Sequence, residues 1–416
     1  MNKVVLLFLF GCGVIFGQWE NVGQMPYAVA GADAISPDGV YIYLFGGYSD
    51  STQSNVKWIQ VYNTLNQSWS FAPMMQAHRS GLVVSQSGSQ IYYFGGVTDT
   101  TDSANTIESW SLSGSPINYD YNDNFARINS SGLILNNIFY VFGGNPYHSQ
   151  ITVPYLFAYD LSSKQIIYSN DTLFLGGNLP EQQMVANINK DIYIFGGVIN
   201  GVSKKIYKFD TNNKTFELLN ATLGIPTANG RAVSDVNSNK IYILGGYSEQ
   251  RTALNSVEIF TVSGQNYTVE PGPSLNIPRK NFSAVFCSGY IYVFGGYDEF
   301  GNLVKEIERF GVTVSVAGSL KPEQKDFQLY QNYPNPFNPS TNIHVSISRE
   351  NGVKLNIYDI DGRLIRNLIN ENLSKGDYYF VWNGKDNKGK NVSSGVYFYS
   401  LNTNGFVITK KMLLLK

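Results

Sequence analysis

Short apolar runs that end in Gly-Gly recur through the first three quarters of the chain, with polar segments between them. The runs are YIYLFGG, IYYFGG, FYVFGG, IYIFGG, IYILGG and IYVFGG, and their first glycines are 48 to 53 residues apart. In the unit that contains Gly95, further strand-like segments occupy 81–85 and 107–112 around the run at 91–94. A fourth strand must precede the next unit, so the pattern predicts four short strands per period.

Four short strands per period of about 50 residues are typical of one blade of a β-propeller. The composition agrees with an all-β chain, since it has 40 glycines, 14% aromatic residues and only 15% charged residues. Glycine after the second strand permits backbone angles or a close approach that a Cβ prevents. We therefore expect a structural role for Gly46, Gly47, Gly95, Gly96, Gly143, Gly144, Gly196, Gly197, Gly245, Gly246, Gly295 and Gly296.

The repeated units resemble the kelch repeat family over about 300 residues. Besides the diglycines, the resemblance rests on partial matches to an N-x-V-E-x-Y strand at 105–108, 255–258 and 306–310, on Trp69 after Tyr62, and on Pro278-Arg279. The third and fourth units lack the tryptophan and the acidic residue. The resemblance implies a six-bladed kelch-type β-propeller over residues 18–317. We expect the segment that begins at Trp19 to supply the outer strand of the last blade.

The first seventeen residues have the pattern of a signal peptide. A positive start at 1–3 precedes an apolar run at 4–16, which as a helix is too short for the roughly 30 Å bilayer core. Its removal would leave a mature chain without a transmembrane segment. The alternative is a lipoprotein signal that carries a lipid on Cys12.

The last ninety residues form a second predicted domain, 327–416, after a polar linker at 318–326. Its alternating segments predict seven strands, which fit a small immunoglobulin-like β-sandwich. The segment resembles the C-terminal sorting domain of proteins exported by the bacterial type IX secretion system. That resemblance implies export by this machinery and a secreted or outer-membrane surface location in a Gram-negative bacterium. The matching motif residues are Tyr333, Pro334, Asn335, Pro336, Phe337, Asn338, Pro339, Lys410 and Lys411.

Candidate ligand-binding residues lie near the predicted channel of the propeller. Arginines recur sixteen residues before a diglycine, or fourteen in the case of Arg231, and could bind carboxylate or phosphate groups. Polar and aromatic residues follow the diglycines. The alternative is that the arginines pair with backbone carbonyls between blades. The candidates are Arg79, Arg127, Arg231, Arg279, Tyr48, Tyr247, Tyr297, Asp298 and Glu299.

Charge and metal-ligand content narrow the function classes. The net charge of -1 does not resemble the basic surface of a nucleic-acid-binding protein. Two cysteines and three scattered histidines show no metal-site spacing, and we expect no cofactor. We expect a monomeric, non-catalytic module that binds an extracellular protein or glycan. The alternative is an enzyme, because the chain is similar in size and export to six-bladed kelch proteins that are sialic acid epimerases.

Overall fold

The computed structural model divides the chain into two compact units, Met1–Val314 and Ser315–Lys416. Most of the predicted signal peptide and all of the predicted linker lie outside the described residues. The regular secondary structure in the described ranges consists of β-strands, which confirms the all-β prediction. The structure describes residues 17–88, 90–99, 106–111, 117–119, 127–145, 155–170, 181–235, 237–312, 327–330, 332–347, 351–359, 363–403 and 406–415.

Strands of two to eight residues build the first unit. In chain order they are β1 (Glu20–Gln24), β2 (Asp33–Ile35), β3 (Tyr41–Phe45), β4 (Tyr48–Ser49), β5 (Ser54–Asn55), β6 (Ile59–Asn63), β7 (Ser68–Ala72), β8 (Val83–Ser87), β9 (Gln90–Phe94), β10 (Ile107–Ser111), β11 (Ile117–Tyr119), β12 (Ser131–Leu135), β13 (Ile138–Phe142), β14 (Leu156–Asp160), β15 (Gln165–Asn170), β16 (Met184–Ile188), β17 (Asp191–Phe195), β18 (Lys205–Asp210), β19 (Thr215–Thr222), β20 (Arg231–Asp235), β21 (Lys240–Leu244), β22 (Val257–Ser263), β23 (Asn266–Pro271), β24 (Ser283–Cys287), β25 (Tyr290–Phe294) and β26 (Glu306–Gly311).

Within the described residues, these strands form six antiparallel sheets of four strands each, and β4 and β5 pair as a two-stranded sheet. The strand orders are β2-β3-β6-β7, β8-β9-β10-β11, β12-β13-β14-β15, β16-β17-β18-β19, β20-β21-β22-β23 and β24-β25-β26-β1. The last sheet takes its fourth strand from the start of the chain. There β1 pairs with β26 in a register that sets Glu20 opposite Arg309 and Asn21 opposite Glu308.

Neighbouring sheets pack face to face through apolar side chains. Phe45, Leu82, Tyr93 and Trp110 share one buried cluster between the first and second sheets. The first strands of successive sheets contact one another in the order β2, β8, β12, β16, β20 and β24, and β24 contacts β2. The low charged fraction follows from this burial of both faces of each sheet.

The second strand of each sheet ends at a diglycine, and in the first, second, fourth, fifth and sixth sheets the described contacts join this pair to the next sheet. Gly295 has a φ of +65°, and a Cβ there would lie 2.1 Å from the carbonyl oxygen of Val29. The N–H of Gly296 donates to the same oxygen at 2.9 Å. Since Val29 precedes β2, this hydrogen bond joins the last sheet to the first.

The second unit is a two-sheet sandwich. Its sheets have the strand orders β27-β28-β31 and β30-β29-β32-β33, and their inner faces enclose a core that includes Phe337, Trp382 and Tyr399. Across both units, the described residues include no helix that is long and apolar enough to cross a membrane. The strands are β27 (Phe327–Leu329), β28 (Thr341–Ile347), β29 (Asn351–Tyr358), β30 (Leu364–Leu373), β31 (Gly376–Trp382), β32 (Gly395–Thr403) and β33 (Phe406–Leu414).

Candidate functional site

One end of the six sheets carries the diglycines and the loops that follow them. The register places Phe45 opposite Ile59 and Ile59 opposite Ala72, so the loops before β6 and after β7 lie at this same end. The loops that lead into each first strand also begin here. We call this end the loop face. Its described segments are 25–32, 46–58, 73–82, 95–99, 127–130, 143–145, 181–183, 196–204, 223–230, 245–256, 272–282 and 295–305.

A ring of left-handed residues lies where the first strands of the sheets begin. Its members share a φ between +55° and +69°. Their backbone groups are joined head to tail: for example, Gly81 N–H donates to Gly31 O at 2.7 Å and Gly31 N–H donates to Asn281 O at 2.8 Å. The next bonds run from Asn281 to Asn229, from there to Gln182 and then to Asn129. We call Gly31, Gly81, Asn129, Gln182, Asn229 and Asn281 the axial ring.

Carboxamide side chains give the axial ring a polar, uncharged surface. Five of its six members, all but Gly31, line part of a small, open cavity. The Tyr247 hydroxyl donates to Oε1 of Gln182, and burial raises the pKa of that hydroxyl. Tyr247 is therefore a neutral donor beside the axial ring at physiological pH.

Arg231 is the one predicted arginine that lines this cavity. Its Nη2 donates to Ala32 O at 2.9 Å and lies 3.7 Å from Oδ1 of Asp33. Burial raises the pKa of Asp33, and the charge of Arg231 opposes that shift. The two side chains are 26% and 17% exposed, so Asp33 offsets much of the positive charge that Arg231 would present to a ligand.

The other three predicted arginines are buried between sheets. Arg79, Arg127 and Arg279 are 2%, 0% and 0% exposed. Each guanidinium donates to the carbonyl of the first glycine of the following diglycine, at 3.4 Å for Gly95, 2.9 Å for Gly143 and 3.1 Å for Gly295. The structure thus places these arginines in the alternative role, as links to backbone carbonyls, and away from an opening where a ligand could reach them.

Glutamates on the third strands complete this buried network, and the sequence reasoning did not assign them a role. Nε and Nη2 of Arg279 donate to Glu308 at 3.1 and 2.8 Å, and Arg79 pairs with Glu108. Burial lowers the pKa of Arg279, and the charge of Glu308 opposes this effect. Both pairs join residues 29 positions apart. That repeated spacing was the signal that could have revealed them.

The remaining predicted loop residues lie on the loop face but do not form one cluster. Tyr48 and Tyr297 are half-buried, and burial, together with Asp50 and Tyr48, raises the pKa of Tyr297. Asp298 accepts the N–H groups of Phe300 and Asn302 at 2.9 and 2.8 Å, so its carboxylate holds its own loop. Glu299 is exposed.

An exposed aromatic patch occupies the outer part of the loop face at the first sheet. The ring of Tyr27 lies 4.8 Å from that of Trp58 and 6.0 Å from that of Phe71. Tyr27 is 40% exposed, while Phe71 and Met74 are each 53% exposed. We call Tyr27, Trp58, Phe71 and Met74 the rim patch. The sequence did not reveal it, because Tyr27 precedes β2 and meets Trp58 and Phe71 only in the fold.

The predicted sorting motif is packed against the last strand of the second unit. Phe337 is 2% exposed; its N–H donates to Leu413 O at 2.9 Å, and its carbonyl accepts from Leu415 N–H at 3.0 Å. Oδ1 of Asn335 accepts from Leu413 N–H at 2.8 Å. Tyr333, Pro334, Pro336, Asn338, Pro339 and Lys411 are exposed, and Lys410 is half-buried.

Metal or catalytic chemistry receives no support from the described residues. None of the histidines, cysteines and carboxylates described forms a group of three that could hold a metal ion. The epimerase alternative was based on similarity in size and export, and three of the four arginines that were candidate ligand-binding residues are buried. No observation in the described ranges favours that alternative.

Comparisons with known proteins identify repeats in the first unit. The KLHDC2/KLHL20/DRC7 Kelch-repeats domain matches residues 182–314, and the Kelch motif matches residues 40–76. A putative F-box/kelch-repeat protein of Arabidopsis thaliana is 33% identical over 84 residues, which cover 20% of this chain and 21% of that protein. The chain thus spans about a fifth of the length of this relative.

The second unit matches a different family. The FlgD Ig-like domain matches residues 338–405, a range that runs from the sorting motif through β32. This match is consistent with the immunoglobulin-like sandwich. Kelch domains mediate protein interactions. The matches, together with the repeated four-stranded sheets, show kelch repeats of the β-propeller type at 40–76 and 182–314 of the first unit.

Proposed function

We propose that this protein is an exported, six-bladed kelch propeller that binds a protein partner through its loop face. The ring of contacts among the first strands supports a closed arrangement. So does the pairing of β1 with β26, together with the hydrogen bond from Gly296 to Val29. A closed ring holds the loop segments of all sheets in fixed positions on one face, as a binding surface requires.

The rim patch is the observation that supports a protein as the binding partner. Tyrosine and tryptophan are enriched among residues that dominate binding energy, and contiguous exposed apolar surface marks interaction sites. Phe300, 81% exposed, adds a further apolar side chain on the loop face. The axial ring on the same face supplies uncharged hydrogen-bond donors and acceptors. A glycan ligand would use the axial ring more than the rim patch.

Substitution of the rim patch tests this function. The immobilised chain is used to capture proteins from the culture medium of the producing organism. The captured proteins are identified and then cross-linked to the chain. We expect cross-links to the loop face, and we expect Tyr27→Ser with Phe71→Ser to abolish capture. Leu65→Ser is the matched control, because Leu65 is 76% exposed but lies in the turn between β6 and β7 at the opposite end of the sheet.

Two outcomes would contradict a protein ligand at this surface. One is that the double variant captures the partner as well as the unchanged chain does. The other is that a glycan array gives saturable binding that the double variant retains, which would favour a glycan at the axial ring.

We also propose that the second unit directs export through the type IX secretion machinery to the medium or the outer-membrane surface. The contacts of Asn335 and Phe337 with β33 support this proposal, since the two ends of the resembling segment form one structural element. In a type IX-competent bacterium, the full chain should leave the periplasm and a chain without 327–416 should stay there. Periplasmic retention of the full chain, with its fold intact, would contradict the proposal.

A further inference from the structure

An open sheet edge lies in the second unit. β31 pairs with β28 on one side and is the last strand of its sheet in the described residues. Edge strands usually carry charged side chains, above all lysine, or a proline or a bulge, which prevent pairing with another chain. The seven residues of β31, Gly376–Trp382, contain neither lysine nor proline. The register of β31 against β28 is continuous over all seven residues.

The outer face of this edge is apolar and aromatic. Tyr379 is 67% exposed and Val381 is 59% exposed. Asp377, the charged residue of the strand, accepts a hydrogen bond from Nε2 of His344 at 2.9 Å. That hydrogen bond lowers the pKa of Asp377, so the carboxylate is ionised and held by its neighbour at neutral pH.

A stack of rings crosses the sheet and stops at this edge. The rings of Tyr330 and His344 are 4.1 Å apart, and those of His344 and Tyr379 are 4.5 Å apart, both with interplanar angles of 7°. Neighbouring strands are about 4.8 Å apart, so the stack advances by one ring per strand. The next position in the stack belongs to a strand beyond β31.

We propose that β31 pairs with β31 of a second copy of this chain. Tyr379 is the central residue of the seven, so an antiparallel pair around a two-fold axis sets Tyr379 opposite its copy and continues the stack through both sandwiches. The same register sets Asp377 opposite Val381, which avoids contact between like charges. Such an isologous contact closes on itself and yields a dimer.

The size of the contact indicates a weak dimer. A single pair of seven-residue strands buries less surface than the roughly 1,200 Å² or more of stable interfaces. The protein is then monomeric when dilute, as the sequence predicts, and associates where its local concentration is high. A second copy is the occupant that meets the geometry, because it supplies an aromatic ring at the required position.

Disulfide trapping tests the register in the chain without residues 1–17, whose remaining Cys287 is buried. Under mild oxidation we expect Tyr379→Cys to form a covalent dimer. Asp377→Cys and Val381→Cys should each stay monomeric alone and cross-link when mixed. Equal cross-linking of all three single variants, or of none at high protein concentration, would overturn the proposal.

Sedimentation equilibrium tests the association without a cross-link. Tyr379→Lys should weaken it about tenfold or more, because two like charges would face each other across the pair. Leu364→Lys is the matched control, since Leu364 is 49% exposed on β30, an edge strand of the other sheet. A chain that sediments as a monomer at every concentration, or that loses association equally with Leu364→Lys, would rule out this dimer.

Discussion

At the scale of single residues, the diglycines act on the neighbouring sheet as much as on their own strand. In the first sheet, a Cβ at Gly46 would lie 2.4 Å from Arg79 O, and Gly47 N–H donates to that oxygen at 2.7 Å. One glycine admits the carbonyl and the next binds it. The repeated pair is therefore a junction between sheets, which explains why the chain keeps it at each period.

We expect Gly295→Ala to destabilise the first unit strongly. The substitution requires a left-handed alanine, which costs about 1–2 kcal/mol, and it also sets a Cβ 2.1 Å from Val29 O. Together these effects should exceed about 2 kcal/mol in the free energy of chemical unfolding. Gly264→Ala isolates the conformational cost, because Gly264 has a φ of +63° and nothing within 4 Å of a Cβ. Equal losses for the two variants would mean that the contact with Val29 contributes nothing.

Loss of the buried Arg279–Glu308 pair should also lower the stability of the first unit strongly. Both side chains are at most 1% exposed, so Arg279→Met leaves a buried carboxylate without its counter-charge and should cost about 3–5 kcal/mol. Arg309→Met on the same strand as Glu308 is the control, because its partner Glu20 is 58% exposed and such pairs contribute about 1 kcal/mol or less. Midpoints of denaturant unfolding measure both. Similar losses of stability for the two variants would contradict the expectation that the buried ion pair contributes more than the exposed one.

The roles of the diglycines could be predicted from the sequence better than the roles of the arginines, and the reason is physical. A left-handed turn with close backbone approach restricts a position almost to glycine, so its requirement is visible in the sequence. An arginine suits either a ligand or a buried carboxylate, and the choice depends on what the fold places opposite it. Glu108 and Glu308 occupy that position for Arg79 and Arg279, and only their shared spacing from the arginines hinted at it.

At the scale of secondary-structure elements, β1 shows how a distant segment completes a sheet. The expectation that the segment from Trp19 joins the last blade came from its likeness to the outer strand around Trp69, and β1 lies beside β26. Trp19 holds this strand through its own contacts: its Nε1–H donates to Pro273 O at 2.8 Å. Its ring lies 5.4 Å from that of Phe310.

Trp19→Ala should therefore loosen the junction between the first and last parts of the first unit. Removal of a tryptophan that is 5% exposed costs about 3–5 kcal/mol, and the affected strand is the one that covers the edge of β26. Hydrogen exchange is the measurement: amides of β1 and β26 should lose protection first. Loss spread evenly over all sheets of the unit would show that β1 has no special role in joining its ends.

The axial ring lay beyond sequence prediction because different residue types meet one backbone requirement. Glycine, asparagine and glutamine all occur at its left-handed positions, so no single letter repeats. Their separations of 47 to 53 residues follow the period of the diglycines, but that regularity is visible only once the φ angles are known. Spacing therefore predicts the sheets, while the polar surface at the axis emerges from the structure.

At the scale of the whole molecule, the two units have separate cores. The core of the second unit contains residues from Leu329 to Leu414, and the clusters of the first unit contain none of these. The sequence-based expectation of a second domain came from the polar linker at 318–326. The physical basis of the division is that a stack of sheets and a separate sandwich each bury their own apolar faces.

Separate cores predict that the two units unfold independently. Trp382 is 1% exposed and lies 5.5 Å from Phe337 and 5.0 Å from Tyr397, ring centre to ring centre. Its replacement by alanine should cost about 3–5 kcal/mol, which lowers the melting temperature of a unit of this size by more than about 10 °C.

Differential scanning calorimetry of the full chain distinguishes independent unfolding of the two units from unfolding as one cooperative structure. Trp382→Ala should move the part of the heat absorption that belongs to the second unit and leave the rest in place, whereas Gly295→Ala should move the other part. A single peak that moves as a whole with either substitution would mean that the units unfold as one cooperative structure. Independent unfolding would let the sandwich change its state during the proposed export while the first unit keeps its fold.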